Sequence, residues 1–221
     1  MQAVILAAGK GRRLAPLTDT TPKPLIEVQG TPIIVRLLEL LPESIVDVVI
    51  VAEYLEEQLK NKLGVSYKSR CLHFVTQGEK KGTYGALFSA RKALKPGSFL
   101  VMGSDDLFNQ QELEEICKKK LAFGVHKKFL PGKEWLIVEV DKEKHVRELR
   151  RPNDEEFKAE QYMATGVYVL DESFWNYKPV QLANGEYGLP QTLRPMLIEK
   201  SVEMVEMKDW LQINTHEELA Y

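Results

Sequence analysis

Gln2-Ala3-Val4-Ile5-Leu6-Ala7-Ala8-Gly9-Lys10-Gly11-Arg12-Arg13-Leu14 begins as an apolar run and breaks into a glycine-rich turn crowded with cations. No basic segment precedes the apolar run, which stops far short of membrane-spanning length, so it reads as a strand rather than a signal or an anchor. Apolar on both faces, such a strand belongs inside a largely parallel sheet. Glycines at its carboxyl end let backbone N–H groups approach an anion, at the edge where open α/β sheets bind ligands. A tight solvated turn would carry the same residues, because G-x-G alone is weak evidence. The dinucleotide fingerprint fits poorly. Leu14 stands in place of its third glycine, and a Thr- and Pro-rich stretch follows where a helix should start. A P-loop is absent, since no G-x-x-x-x-G-K-[ST] occurs in the chain.

Outward from this stretch, the runs Ala3 to Ala8, Ile45 to Val51, Leu72 to Thr76 and Phe99 to Gly103 read as strands. Thr31 to Leu41, Tyr54 to Leu63 and Tyr84 to Leu94 read as helices, the first with Thr31 as N-cap and Pro32 at its first position. The alternation predicts an α/β fold: a doubly wound, Rossmann-like, mostly parallel sheet with helices on both faces. After about residue 121 the strands Ala122 to Lys127, Trp135 to Val140, Val146 to Leu149 and Met163 to Leu170 are separated by charged turns, as in mixed or antiparallel sheet. A helix over Pro190 to Lys200, strands near Val202 to Met207 and Trp210 to Ile213, and a short helix from Thr215 complete the pattern. No linker divides the halves. The expectation is a single domain over 1–221, with a doubly wound half at 1–120 and a smaller elaboration at 121–221 that packs over its strand ends.

The 221 residues are 44% hydrophobic and 28% charged, ordinary values for a chain that buries a core. Thirty basic residues against 32 acidic ones leave a net charge of −2, without the clearly basic face that duplex nucleic acid demands. No other stretch approaches an uninterrupted apolar membrane span, and no repeats occur. Cys71 and Cys117 form neither a disulfide framework nor a metal-ligand spacing, which fits a reducing compartment. The expected location is cytoplasmic, with neither nucleic acid nor membrane as partner.

Pro22-Lys23-Pro24-Leu25 fixes the backbone on both sides of one lysine, which lowers the entropy lost in aiming its ammonium at a phosphate. A proline-rich turn with a surface lysine accounts for the same residues. Taken together, Leu6 through Thr18 and Pro22-Lys23-Pro24-Leu25 closely resemble the signature of the sugar-1-phosphate nucleotidylyltransferase family, in its short form without a hexapeptide-repeat domain. The resemblance extends to Gln77-Gly78-Glu79-Lys80-Lys81-Gly82-Thr83, similar to the loop in which a glutamine and a glycine meet the base. Independently, Thr83 stands where it could cap the following helix, whose N-terminus attracts anions. Ser104-Asp105-Asp106-Leu107 resembles the segment holding the magnesium aspartate, with Asp105 the better match and Asp106 second.

Later matches are looser. Arg150-Arg151-Pro152 stands where the family shows E-K-P: Arg151 keeps the cation, and Arg150 replaces the carboxylate that grips sugar hydroxyls. Thr165-Gly166-Val167-Tyr168 resembles an acceptor-lining strand, Gly185-Glu186-Tyr187-Gly188-Leu189-Pro190-Gln191 the G-E-Y-x-L-T-D segment with Gln191 for its aspartate, and Trp210-Leu211-Gln212-Ile213-Asn214-Thr215 the W-x-D-x-x-T segment, with Gln212 in place of the second metal aspartate. A glutamine oxygen can coordinate a hard cation but brings no charge.

The resemblance implies an enzyme that joins an NTP to a sugar 1-phosphate, with Mg²⁺ as cofactor, giving an NDP-sugar and pyrophosphate by in-line attack on the α-phosphorus. Arg13, Lys23 and Asp105 would be catalytic, and Asp105 and Gln212 would bind the metal. Leu6, Ala8, Gly9, Gly11, Gln77, Gly82 and Thr83 would hold the nucleotide. Arg150, Arg151, Thr165, Gly166 and Glu186 would hold the acceptor. A monomer or homodimer is expected. One alternative is a cytidylyltransferase for a phospho-alcohol such as phosphocholine, for which Tyr162, Tyr168, Trp175 and Tyr187 could form an aromatic box. Another is a nucleotide-binding regulatory protein without turnover. Trp135 and Trp175 are otherwise expected to be packing residues.

Overall fold

In the computed structural model, which describes residues 1–133 and 135–220, strand Gln2–Leu6 lies near the middle of a ten-stranded sheet. It pairs in parallel with Asp47–Ala52 on one side and Phe99–Gly103 on the other. Asp47–Ala52 pairs in parallel with Arg70–Thr76, and short Ser66–Tyr67 closes that edge antiparallel. Side chains alternate between the faces, as strand geometry requires. Ala3 and Ile5 pack with helices Ile33–Leu40, Glu56–Leu63 and Gln110–Cys117, whereas Val4 packs with helices Gly82–Ala90 and Leu189–Glu199. Burying each large side chain contributes about 1.5–3 kcal/mol, offset by the entropy of ordering it. The sheet is therefore mostly parallel in this half and covered by helices on both faces.

Arg70 closes the end of helix Ile33–Leu40. Its buried guanidinium donates to the carbonyl oxygens of Leu38 at 3.1 Å, Leu41 at 2.5 Å and Pro42 at 3.1 Å, and also to that of Ile45. Those carbonyls include the ones a helix C-terminus leaves without partners. Burial pulls the Arg70 pKa down.

The sheet continues into the second half through the long strand Gln161–Leu170. Its end pairs antiparallel with Phe99–Gly103, and its length pairs with Ala122–Lys128 and, at Met163, with Ile137–Val140. Val146–Arg150 adds to one edge, and Glu203–Glu206 runs parallel to Ala122–Lys128. The register shifts between Ala164 and Tyr168, where Gly166 has φ of 83°. Such a bulge bends a strand and re-aims its side chains, and here it faces the aspartates that follow Gly103.

Two local expectations need correction. Thr31 does not cap a helix, because Gln29 and Gly30 both take positive φ and turn Thr31–Pro32 back to pair with Glu27–Val28. The helix starts at Ile33. Nor does Thr83 cap its own helix, which begins at Gly82; the Thr83 hydroxyl instead accepts the N–H of Leu189 at 2.9 Å, at the start of helix Leu189–Glu199. Among the described residues no helix is long and apolar enough to cross a membrane.

Candidate functional site

A cleft of about 1040 Å³ opens beyond the carboxyl ends of the parallel strands. Leu6, Glu53, Gln77 and Gly103, each at or just after one of those strand ends, line one wall, and Trp135, Thr165, Tyr168 and Tyr187 line the other. A smaller recess of about 290 Å³ adjoins it beneath the glycine turn and is lined by Arg13, Lys23, Asp105 and Asn214.

The turn is built around Gly11. Its φ is 63°, and a Cβ there would lie 2.9 Å from both Lys23 Cβ and Thr18 Cγ2, so only glycine lets the lysine pass so close. Thr18 Oγ1 donates to the Gly11 carbonyl oxygen at 3.0 Å, and buried Leu14 anchors the turn in a small cluster with Ile26, Val28, Ile33 and Ile213. Gly9 faces open space. The prolines on either side of Lys23 hold it in a short 3₁₀ turn, and it is only 8% exposed.

Lys23 Nζ lies 2.5 Å from Asp105 Oδ2 and 2.8 Å from Asn214 Oδ1, and Arg13 Nη2 donates to the same amide oxygen at 2.7 Å. Asn214 was not singled out from the sequence. It is nevertheless the atom that gathers both predicted cations. Its own backbone is fixed by Glu218, whose Oε2 accepts the N–H groups of Asn214 at 2.5 Å and Thr215 at 2.8 Å. The one signal available was its position two residues after Gln212, just past the end of strand Leu211–Gln212.

Asp105 and Asp106 divide the space at the end of Phe99–Gly103. Asp105 faces Lys23, whereas Asp106 is buried and accepts the indole N–H of Trp210 at 2.9 Å. Burial, and then the neighbouring Asp105 charge, push the Asp106 carboxyl well above the usual carboxylate range. Leu211–Gln212 pairs antiparallel with Asp106–Leu107, so Gln212 lies across Asp106. Gln212 lines the cleft, but the oxygens that converge on one cation here are those of Asp105 and Asn214, with Lys23 Nζ between them. That pair suits a hard divalent ion. No cluster of three His, Cys, Asp or Glu occurs among the described residues, so phosphate oxygens and water would complete the shell, as magnesium favours.

At the far end of the sheet, Gln77 Nε2 donates to the carbonyl oxygens of Lys80 at 2.9 Å and Gly82 at 3.2 Å. Both amide protons thus brace the loop, and Oε1 is the side-chain atom left to meet a ligand. Gly82 has φ of 87°, and a Cβ there would lie 2.6 Å from the Tyr187 carbonyl oxygen, which packs the loop against the opposite wall. Leu6, Ala8 and Thr83 also line the cleft.

The acceptor residues are brought together only in part. Arg151, Thr165, Gly166 and Glu186 line the cleft; Arg150 does not. Its guanidinium is held by Glu139 at 2.6 Å and by Glu156 at 2.5 and 2.8 Å, which raises the Arg150 pKa and lowers that of Glu156 to about 2. The Thr165 hydroxyl is spent on the Gly124 carbonyl oxygen at 2.9 Å. Of the four aromatic residues considered as a box, Tyr168 and Tyr187 reach the cleft, Tyr162 lies under Lys127, and Trp175 stacks on Phe99. Trp135, expected to pack, also lines the cleft.

Cations anchored beneath a glycine turn face aspartates across the switch point of a doubly wound sheet, an arrangement suited to anionic ligands at the strand ends. The chain belongs to the nucleotidyl transferase family, whose model matches residues 2–220. It is similar to the bifunctional protein GlmU of Methanocaldococcus jannaschii, 28% identical over 95% of this chain and 50% of that one. A shorter match, 32% identical over 62% of this chain and 58% of the relative, is to a choline-phosphate cytidylyltransferase of Streptococcus pneumoniae. The chain spans about half the length of the curated relatives it matches first. Among solved structures, an apo UDP-glucose pyrophosphorylase shares the fold with a TM-score of 0.84 and 18% identity, covering 99% of this chain and 95% of that one.

Proposed function

We propose that the protein transfers a nucleotidyl group from an NTP to a sugar 1-phosphate, releasing pyrophosphate and forming an NDP-sugar. The observation that carries this reading is the junction of Arg13, Lys23, Asn214 and Asp105 beneath the glycine turn, opening into a cleft with room for two ligands. Two polyanions must be aligned, so the chemistry is positioning and charge neutralisation, with no covalent nucleophile. Leu6, Ala8, Gly9 and Gly11 offer backbone to the base and phosphates, and Gln77 Oε1 accepts an N–H of the base edge while Gly82 holds the loop close. Arg13 takes the departing pyrophosphate. Lys23 leaves Asp105 to meet the α-phosphate and the acceptor phosphate. A magnesium ion held by Asp105 and Asn214, with Gln212 beside them, would neutralise charge on the phosphates as it does in phosphoryl transfer. Arg151 faces the acceptor phosphate, and Gly166 and Glu186 border the acceptor.

A second reading, transfer of a cytidylyl group to phosphocholine, is favoured by the Trp135, Tyr168 and Tyr187 side chains that line the acceptor wall. One assay separates the two: pyrophosphate release with Mg²⁺, crossing UTP, dTTP, CTP, GTP and ATP with glucose 1-phosphate, mannose 1-phosphate, N-acetylglucosamine 1-phosphate and phosphocholine. The expected result is turnover with a sugar 1-phosphate that Asp105→Ala abolishes. Turnover with CTP and phosphocholine alone would establish the second reading, and silence across the grid despite calorimetric NTP binding would support a regulatory protein.

A further inference from the structure

The acceptor wall and the aspartate pair are linked by one side chain with no assigned role. Trp210 is 7% exposed, and its indole N–H donates to Asp106 Oδ1 at 2.9 Å. Its ring meets Trp135, which lines the cleft, edge-on at 5.6 Å, and Lys128 Nζ lies 4.9 Å over its face. The other Asp106 oxygen, Oδ2, turns back over Gly103: a Cβ there would lie 2.4 Å from it and 2.8 Å from Asp105 Oδ1. The indole therefore decides how Asp106 stands beside Asp105. A cation over an indole face withdraws electron density and strengthens the N–H as a donor.

We propose that Trp210 is a positioning residue: by fixing Asp106 beside Asp105, it sets the orientation in which Asp105, together with Asn214, meets a divalent cation. This rests on the metal-dependent reading given above. Hydrogen bonds to carboxylates at metal sites fix their orientation, and losing one typically costs about ten- to a hundredfold in metal affinity or activity. Phenylalanine keeps the ring and removes only the N–H. Trp210→Phe should then bind cations more weakly, and the loss should vanish when Asp106 is already altered, because the indole acts through that carboxylate.

The test is Mn²⁺ binding, read by the electron paramagnetic resonance of the free ion, on the wild type, Trp210→Phe, Asp106→Asn and the double variant. The expected outcome is about a tenfold or greater weakening in Trp210→Phe, and no further weakening when it is added to Asp106→Asn. An unchanged affinity in folded Trp210→Phe, or losses that add in the double variant, would overturn the proposal. Should Trp210→Phe fail to fold, the ¹⁵N-indole spectrum of the wild-type protein decides. Added Mn²⁺ should broaden the Trp210 resonance at concentrations that leave Trp175 sharp, since Trp175 packs on Phe99 at the opposite end of the strand. Equal broadening of both would contradict it. A wild type that binds no Mn²⁺ would instead remove the metal from the proposed function, an outcome distinct from an unaffected Trp210→Phe.

Discussion

Asn214 joins two cations that the chain delivers from positions 13 and 23, and its single amide oxygen accepts from both. Without it, one guanidinium and one ammonium group would share the recess beside Asp105. A hydrogen bond to a charged group contributes about 1.5–3 kcal/mol, and Asn214 makes two such bonds to side chains assigned to the phosphates. Asn214→Ala is therefore expected to lower kcat/KM about ten- to a hundredfold, measured by pyrophosphate release at saturating magnesium. An unchanged kcat/KM would show that the cations need no such anchor. Arg13, Lys23 and Asp105 were legible because each stands in a motif whose spacing repeats across a family. Asn214 was not, because a lone asparagine carries no pattern until Leu211–Gln212 pairs with Asp106–Leu107 and brings it 191 residues back to Lys23.

At the scale of elements, strand Val146–Arg150 shows how a residue at a motif position can serve a different end. Arg150 was expected among the acceptor contacts, yet Glu139 on the neighbouring strand and Glu156 on the following 3₁₀ turn hold it away from the cleft. Asn153 caps that turn through a reciprocal capping box with Glu156. Sequence spacing located Arg150 but could not foretell its partners, since Glu156 reaches it only after the turn forms. The Glu156 carboxyl is held at about 2, below its ordinary 4.5, first by Arg150. A depressed carboxyl stabilises the fold above its ordinary pKa, and that contribution is lost as pH falls from about 4.5 through about 2. Arg150→Ala should accordingly shallow the fall in melting temperature over that window while leaving NTP affinity at neutral pH unchanged. A melting profile identical to wild type would contradict the assignment of Arg150 as a brace. The parallel strands were the most legible elements, because Gln2–Leu6, Asp47–Ala52 and Phe99–Gly103 are buried over nearly their whole length, and Phe99 to Gly103 was read with its observed bounds. The Glu27–Pro32 hairpin escaped notice, because Gln29-Gly30 is a weaker turn signal than Asn-Gly.

Across the whole molecule, the large sheet carries one wall of the cleft and part of the other, which the separate hairpin at Val180–Gln181 and Tyr187–Gly188 completes. The parallel strands supply the proposed nucleotide loops at their carboxyl ends, and the bent strand Gln161–Leu170 swings the second half over them. That much was readable from the βαβ alternation and its breakdown after residue 121. The identity of the acceptor was not, because it depends on which side chains a bulge at Gly166 and the Trp135 segment turn inward, and no spacing rule encodes that. Nucleotidyl transfer, as proposed, breaks the bond from the α-phosphorus to the oxygen that bridges it to the β-phosphate. Phosphorus NMR of the protein with Mg²⁺, an NTP and a sugar 1-phosphate tests it directly. The account predicts the paired diphosphate resonances of an NDP-sugar growing in step with pyrophosphate, whereas conversion of the NTP to NDP and inorganic phosphate, with the sugar phosphate untouched, would contradict it.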